Sequence, residues 1–251
     1  MIPKVIHYCW FGRNPLPPLA IRCIKSWKEY FPDYEIKEWN ESNFDVNTIQ
    51  YTKEAYQAQQ YAFVSDYARF WILYHYGGLY FDTDVEVIKS MDDIVTRGAF
   101  MGCENEVQRN KSYTLAVAPG LGIGCNPGSE LYGELLELYT TLHFIKANNF
   151  YNTKTVVEYT TEILQKHGLL NVNRLQEIEG IFVYPKDYFC PIDYKNGRCM
   201  ITDNTHSIHH YAASWKSERE KLMISIAKVV GPRVMHLLGN IRRFIIGKNR
   251  N

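Results

Sequence analysis

Over the first forty positions the apolar pattern switches from a short extended run to a helical period and back. That change of period predicts the elements. "PKVIHYCWFG" (3–12) reads as a short strand that opens at Gly12 into a proline-rich loop, "NPLPPL". "AIRCIKSWKEYF" carries Ile21, Ile24, Trp27 and Phe31 at helical spacing, and "PDYEIKEWN" returns to a turn and a half-buried strand. Strand, helix and strand in this order predict a βαβ unit, hence an α/β domain with a mostly parallel central sheet flanked by helices. "TKEAYQAQQYAFVSDYARFWILYHYGG" reads as one long helix closed by Gly77, and "LYFDTDVEVI" as the strand that follows. "MDDIV" enters a short helix, and "APGLGIGCNPGSE" is a loop before the helix "LYGELLELYTTLHFIKA". A further helix spans "TKTVVEYTTEILQKHG", and strand-like "GIFVYP" and "HSIHHYAASW" close the body.

With 251 residues, 46% hydrophobic and 22% charged, the chain has the make-up of a globular domain of α/β size. Charge is unevenly placed. Residues 216–251 hold nine Lys or Arg against two acids, a net of +7, so the first 215 residues carry −6 of the chain's +1. The expected division is a catalytic body at 1–215 and a basic, amphipathic helical tail at 216–251 suited to an anionic membrane surface. The tail lacks interleaved aromatics and the body is acidic, which argues against nucleic acid as a partner. The six cysteines form no C-x-x-C pair, and the chain opens with no basic and apolar leader, so free thiols in a reducing cytoplasm are expected. No stretch is long and apolar enough to span a bilayer.

Asp82 and Asp84 stand in the middle of an apolar run, where acids are costly unless paired or bound to a cation. In a strand, residues two apart share a face, so both carboxylates would converge while Thr83 points away. Two hard oxygen donors suit Mg²⁺ or Mn²⁺, which leave positions open for phosphate oxygens, and a cation so held can stabilise a diphosphate leaving group. A D-x-D pair by itself also occurs in solvated turns. Upstream, Asp66 and Arg69 are three apart on an apolar helix, so they share a face and can pair. Near a metal-bound diphosphate they could hold sugar hydroxyls by charge-assisted hydrogen bonds.

The combined pattern S-D-x-x-R followed by G-G-x-Y-x-D-x-D, in "SDYARFWILYHYGGLYFDTDV", resembles the core of the D-x-D-containing glycosyltransferases of family 32. That family includes capsule and surface-polysaccharide enzymes and yeast-type mannosyltransferases, with clostridial toxin glucosyltransferases more distantly similar. The opening "IPKVIHYCWFG" and closing "IHHYAASW" match as well. The resemblance implies a GT-A fold and a metal-dependent, retaining transfer of a hexose from a nucleotide-diphosphate sugar, by family tendency a UDP-sugar. The acceptor would be a glycan or lipid-linked saccharide, in capsule or surface-polysaccharide synthesis, with the protein cytoplasmic or peripheral on the inner face of the plasma membrane. It implies that Trp10 stacks on the base, and that Asp66 and Arg69 hold the donor sugar. Asp82 would meet ribose and metal, and Asp84 would ligate the metal directly; these two acids are the expected catalytic residues.

In the closing segment the same resemblance implies a late histidine in the metal shell, with Ser214 and Trp215 over the diphosphate. Neighbours in an extended run face opposite sides, so His209 and His210 do not easily both reach one ion. Counting back from Trp215 favours His210 as the third ligand. No general base stands out. The loop "APGLGIGCNPGSE" is not a nucleotide fingerprint, and it suits either an acceptor-side loop or an ordinary turn. Two other functions share these residues: a nucleotide-sugar hydrolase, and a sugar-binding protein without turnover.

Overall fold

The computed structural model describes residues 1–107, 113–147, 150–192 and 198–212. In chain order these form β1 (Val5–Cys9), α1 (Pro18–Tyr30), β2 (Glu35–Trp39), α2 (Gln50–Gln57) and α3 (Tyr61–Tyr76). Next come β3 (Gly78–Tyr80), β4 (Val85–Val87), α4 (Asp92–Arg97), β5 (Ala99–Val107), β6 (Tyr113–Val117) and β7 (Ile123–Cys125). The remainder are α5 (Glu130–Thr140), α6 (Val156–Lys166), β8 (Gln176–Ile178), β9 (Ile181–Tyr184) and β10 (Ser207–His209). Residues Met1–Tyr211 make one compact unit. Ser214, Trp215 and the basic tail lie outside the described residues.

The expected βαβ start is present: β1 pairs parallel with β2, and on its other edge with β3. The main sheet runs β2-β1-β3-β7-β5-β9-β8, with β6 paired to β5. β2, β1, β3, β5 and β9 share one direction, whereas β7, β8 and β6 run against it. The class is therefore α/β around a mostly parallel sheet, as expected. Side-chain alternation along β1 and β3 sends Ile6, Tyr8, Leu79 and Phe81 into one apolar cluster with Trp27. Cys9 and Tyr80 enter the other, with the helices α3 and α5.

His7 sits inside this sheet. Trp39 Nε1–H donates to its Nδ1 at 3.0 Å, so the ring proton is on Nε2, which donates to the Gly77 carbonyl at 3.0 Å. Burial holds the imidazole down at about 4, so it is neutral at ordinary pH.

Three expectations need correction. The long helix is broken in two at Ala58–Gln60. Gln59 adopts φ 58°, and Gln60 N–H bonds the Ala55 carbonyl while Gln59 N–H bonds that of Tyr56. This is a Schellman termination with glutamine where glycine usually stands, so it left no glycine signal. In α1, Trp27 and the following Phe31 are buried as expected, but Ile21 is exposed and Ala20 and Cys23 take the buried face beside Trp27. The strand "LYFDTDVEVI" also divides: β3 stays in the main sheet, while β4 leaves it and pairs antiparallel with β10. The departure has named causes. Trp27 Nε1–H donates to the Val85 carbonyl at 2.7 Å, and Val87 N–H donates to Ser26 Oγ at 2.9 Å, so α1 satisfies backbone groups that a sheet neighbour would otherwise meet.

Candidate active site at the end of the third strand

The division of that strand builds the site. Asp82 and Asp84 do not share a pleat. They lie in the turn between β3 and β4, closed by Val85 N–H to the Asp82 carbonyl at 3.0 Å. This turn emerges where β1 and β3 end side by side, His7 opposite Tyr80, at the carboxyl edge where α/β sheets bind ligands.

Behind it, α3 projects Asp66 and Arg69 from one face. Arg69 is buried and one guanidinium nitrogen bridges two carboxylates: Nη2 lies 2.9 Å from Asp66 Oδ1 and 3.3 Å from Asp82 Oδ1. Its Nε donates to the Ser65 carbonyl at 3.1 Å, which gives the serine of S-D-x-x-R a backbone role. Tyr80, from the same quoted run, donates its hydroxyl to Asp82 Oδ1 at 3.0 Å. Burial works against the Arg69 charge, yet Asp82, Tyr80 and Asp66 around it hold its pKa above the usual guanidinium value. Burial pushes the Asp66 carboxyl up to about 7 against the pull of Arg69, and the Asp82 charge adds to the rise.

On the far side, β10 runs antiparallel to β4 with His209 opposite Val85. His209 Nε2 reaches Asp84 Oδ1 at 3.1 Å. His210 sends its backbone N–H to the Asp84 carbonyl, but its ring turns to Glu86, Nε2 to Oε2 at 2.6 Å. The histidine brought to the acid pair is thus His209, and the choice of His210 is corrected: on one strand the two rings take opposite sides, and His210 has a carboxylate of its own. Burial disfavours the His209 imidazolium, but the neighbouring Asp84 carboxylate outweighs it and raises the ring's pKa.

Asp82, Asp84 and His209 each offer a ligand atom, all within 4.8 Å of one another. Two hard oxygens and one imidazole on a turn fit Mg²⁺ or Mn²⁺ and leave coordination positions for other oxygens. Among the described residues this is the one such group. Trp10 is half-buried at the carboxyl end of β1, its indole N–H donating to the Asn14 carbonyl at 2.6 Å. Gly12, two residues on, has φ 95°, and its N–H donates to Glu41 at 2.6 Å.

Two participants were missed. Tyr80 lay in plain view in G-G-L-Y-F-D-T-D without an assigned role. Gly120 belongs to the loop "APGLGIG", which is buried. It forms a buried 3₁₀ turn over Pro119–Leu121 and then β7. The Gly120 carbonyl accepts the Asp82 N–H at 3.2 Å, and a Cβ on Gly120 would stand 2.1 Å from Asp82 Oδ2. The glycine admits the carboxylate.

Residues 17–101 match the family model described as a glycosyltransferase sugar-binding region containing a DXD motif. The chain is 31% identical over 227 residues to the uncharacterized glycosyltransferase L373 of Acanthamoeba polyphaga mimivirus, covering 82% of this chain and 83% of that one. It is 32% identical over 102 residues to inositol phosphoceramide mannosyltransferase 3 of Schizosaccharomyces pombe, a match over 38% of this chain and 27% of the yeast protein. The match to mannosyltransferase 1 of the same yeast is 31% over 111 residues and spans 33% of that protein. The chain therefore spans about a third or less of these two yeast relatives. Among solved structures, PaToxG glycosyltransferase aligns with TM-score 0.49 at 16% identity, over 66% of this chain and 69% of that one.

Proposed function

Because the chain belongs to the glycosyltransferases whose sugar-binding region contains a DXD motif, we propose that it moves a hexose from a nucleotide-diphosphate sugar, a UDP-sugar, to a glycan or lipid-linked acceptor in surface-polysaccharide synthesis. The observation that carries the reading is the continuous chain of contacts Asp66–Arg69–Asp82, which reaches the Asp84–His209 pair through a single turn. Asp82, Asp84 and His209 would hold a divalent cation, Mn²⁺ or Mg²⁺. When bound, that ion offsets the charge of the diphosphate leaving group.

The chain's own residues do the rest. The bridging Arg69 nitrogen fixes both carboxylates, so the Asp66 carboxyl is set to accept from a sugar hydroxyl, and it needs no reorganisation on binding. Tyr80 fixes the second carboxylate from the side opposite the solvent. Trp10 offers a half-buried ring at the sheet's edge to the base. Arrival of the acceptor on the face the leaving group departs from gives retention without an enzymic nucleophile, which accords with the lack of an evident base.

A cytoplasmic location is supported by six cysteines without a disulfide. Among the described residues no helix is long and apolar enough to cross a membrane. The +7 tail supports contact with an anionic leaflet on the inner face of the plasma membrane.

The test is a panel of UDP- and GDP-sugars with the full chain and Mn²⁺, scoring donor hydrolysis and transfer. One donor should turn over, with activity lost in Asp84→Ala, lost on chelation, and reduced far more by His209→Ala than by His210→Ala. Hydrolysis that no acceptor stimulates would make the protein a nucleotide-sugar hydrolase. Donor binding with no turnover would make it a sugar-binding protein. Equal effects of the two histidine variants would overturn the assignment of His209.

A further inference from the structure

A histidine that serves a metal is ordinarily held in orientation by a hydrogen bond from its other ring nitrogen. His209 lacks that support: its Nδ1 is buried with no hydrogen-bond partner among the described residues. Its ring is held by packing, and the contact is Tyr211, two residues on. The two ring centroids are 4.3 Å apart with planes at 70°, edge against face.

Tyr211 is itself firmly tied. Its hydroxyl donates to Glu104 Oε2 at 2.8 Å. With that proton committed, the Cys190 thiol at 2.8 Å is the donor to the phenol oxygen. Glu104 belongs to β5 of the main sheet, and Cys190 follows the 3₁₀ turn Lys186–Tyr188. The backbone of Tyr211 is left-handed at φ 51°, which few residues other than glycine, asparagine and aspartate adopt. Such a conformation persists where the surroundings over-determine it, and here the ring, the hydroxyl and the bend all serve one placement.

We propose that Tyr211 is a positioning residue for His209: it braces the imidazole against the Asp82–Asp84 turn by spanning from the β4–β10 ribbon to Glu104 in the main sheet. This rests on the metal reading of the Asp82, Asp84 and His209 group. Tyr211 meets the His209 ring edge to face and Glu104 holds the Tyr211 hydroxyl, so the brace reaches the acid turn by way of His209.

The test is Mn²⁺ affinity of the full chain without donor, read from the free-Mn²⁺ electron paramagnetic resonance signal. Tyr211→Phe keeps the ring and removes the tether, and should weaken Mn²⁺ binding about 10- to 100-fold, the usual cost of losing an outer-shell partner. Glu104→Leu, which removes the acceptor, should weaken it in the same direction, and serves alone if Tyr211→Phe folds poorly by circular dichroism. The double variant should bind no more weakly than the worse single one, because both changes cut the same tether. Wild-type affinity in both single variants, or losses that simply add, would overturn the proposal. Failure of the unaltered protein to bind Mn²⁺ would overturn the metal reading and this one with it.

Discussion

Gly120→Ala isolates the fit of Asp82 from the fold around it. The φ of Gly120 lies outside the left-handed region, so alanine is at ease in the backbone. The difficulty is one neighbour: the new Cβ would lie 2.1 Å from Asp82 Oδ2 and 3.0 Å from its Cγ. Ordinary contact begins at 3.4 Å, so the carboxylate must retreat by about 1.3 Å. The Asp82 N–H to Gly120 carbonyl bond, 3.2 Å, ties the two backbones together, which leaves the side chain to do the moving. That motion stretches the contacts to Tyr80 at 3.0 Å and Arg69 at 3.3 Å.

Hydrogen bonds to charged groups are worth about 1.5–3 kcal/mol, but water can replace part of what Asp82 loses, since its side chain is 29% exposed. The expected stability loss is about 1–2 kcal/mol, a Tm drop of roughly 2–8 °C at this chain length. Activity should suffer more. A misplacement of about 1 Å costs on the order of 10²-fold in rate. The assay is kcat/KM for the donor identified above, beside a thermal melt, with Gly133→Ala as control. A Cβ at Gly133, on α5, meets at worst the Tyr74 ring edge at 3.3 Å, far from the acids. If Gly120→Ala keeps activity within threefold of the parent, the carboxylate does not depend on that cradle and the reasoning fails.

Two further outcomes are expected. His7 is neutral in the folded state down to about 4, while in the unfolded chain it takes a proton below about 6.5, so stability is full above pH 6.5 and declines as pH falls toward 4. The span corresponds to about 3 kcal/mol, to be read as the difference in pH slope of urea unfolding between the parent and His7→Gln; coincident slopes would refute the lowered pKa of the buried ring. Arg69→Met strips two carboxylates of their shared partner and should cost about 3–5 kcal/mol, whereas Arg69→Lys, which lacks the planar group that Nε anchors to the Ser65 carbonyl, should fold better yet lose activity by at least tenfold. Parent-like activity in Arg69→Lys would show that the planar guanidinium is dispensable.

Local pattern carried the first βαβ unit and the C-terminal end of α3, because there the partners are near in sequence and Gly77 punctuates the helix. It failed where the partner is remote. The exit of β4 from the sheet depends on the Trp27 and Ser26 side chains of α1 and on β10, well over a hundred residues later. The glycine-rich run after Pro119 reads as loose because glycine is common in loops. Here glycine is required for closeness: at Gly120 to the Asp82 carboxylate, at Gly122 to the Phe81 ring and at Gly124 to Leu79 and Phe100.

The histidine assignment shows the limit of counting along a chain. Alternation has a phase only while the backbone stays extended, and counting back from Trp215 requires the extended run to reach that far. The structure ends β10 at His209, and Tyr211 turns left-handed at φ 51°, so no phase carries back across that bend from Trp215. What fixes the phase is the partner strand. His209 lies opposite Val85 and reaches the Asp84 carboxylate, while the ring of His210 is left to Glu86. The acids draw attention by their chemistry, since carboxylates in an apolar run demand a partner. Which imidazole answers them is decided by a register that only the folded β4–β10 pair defines.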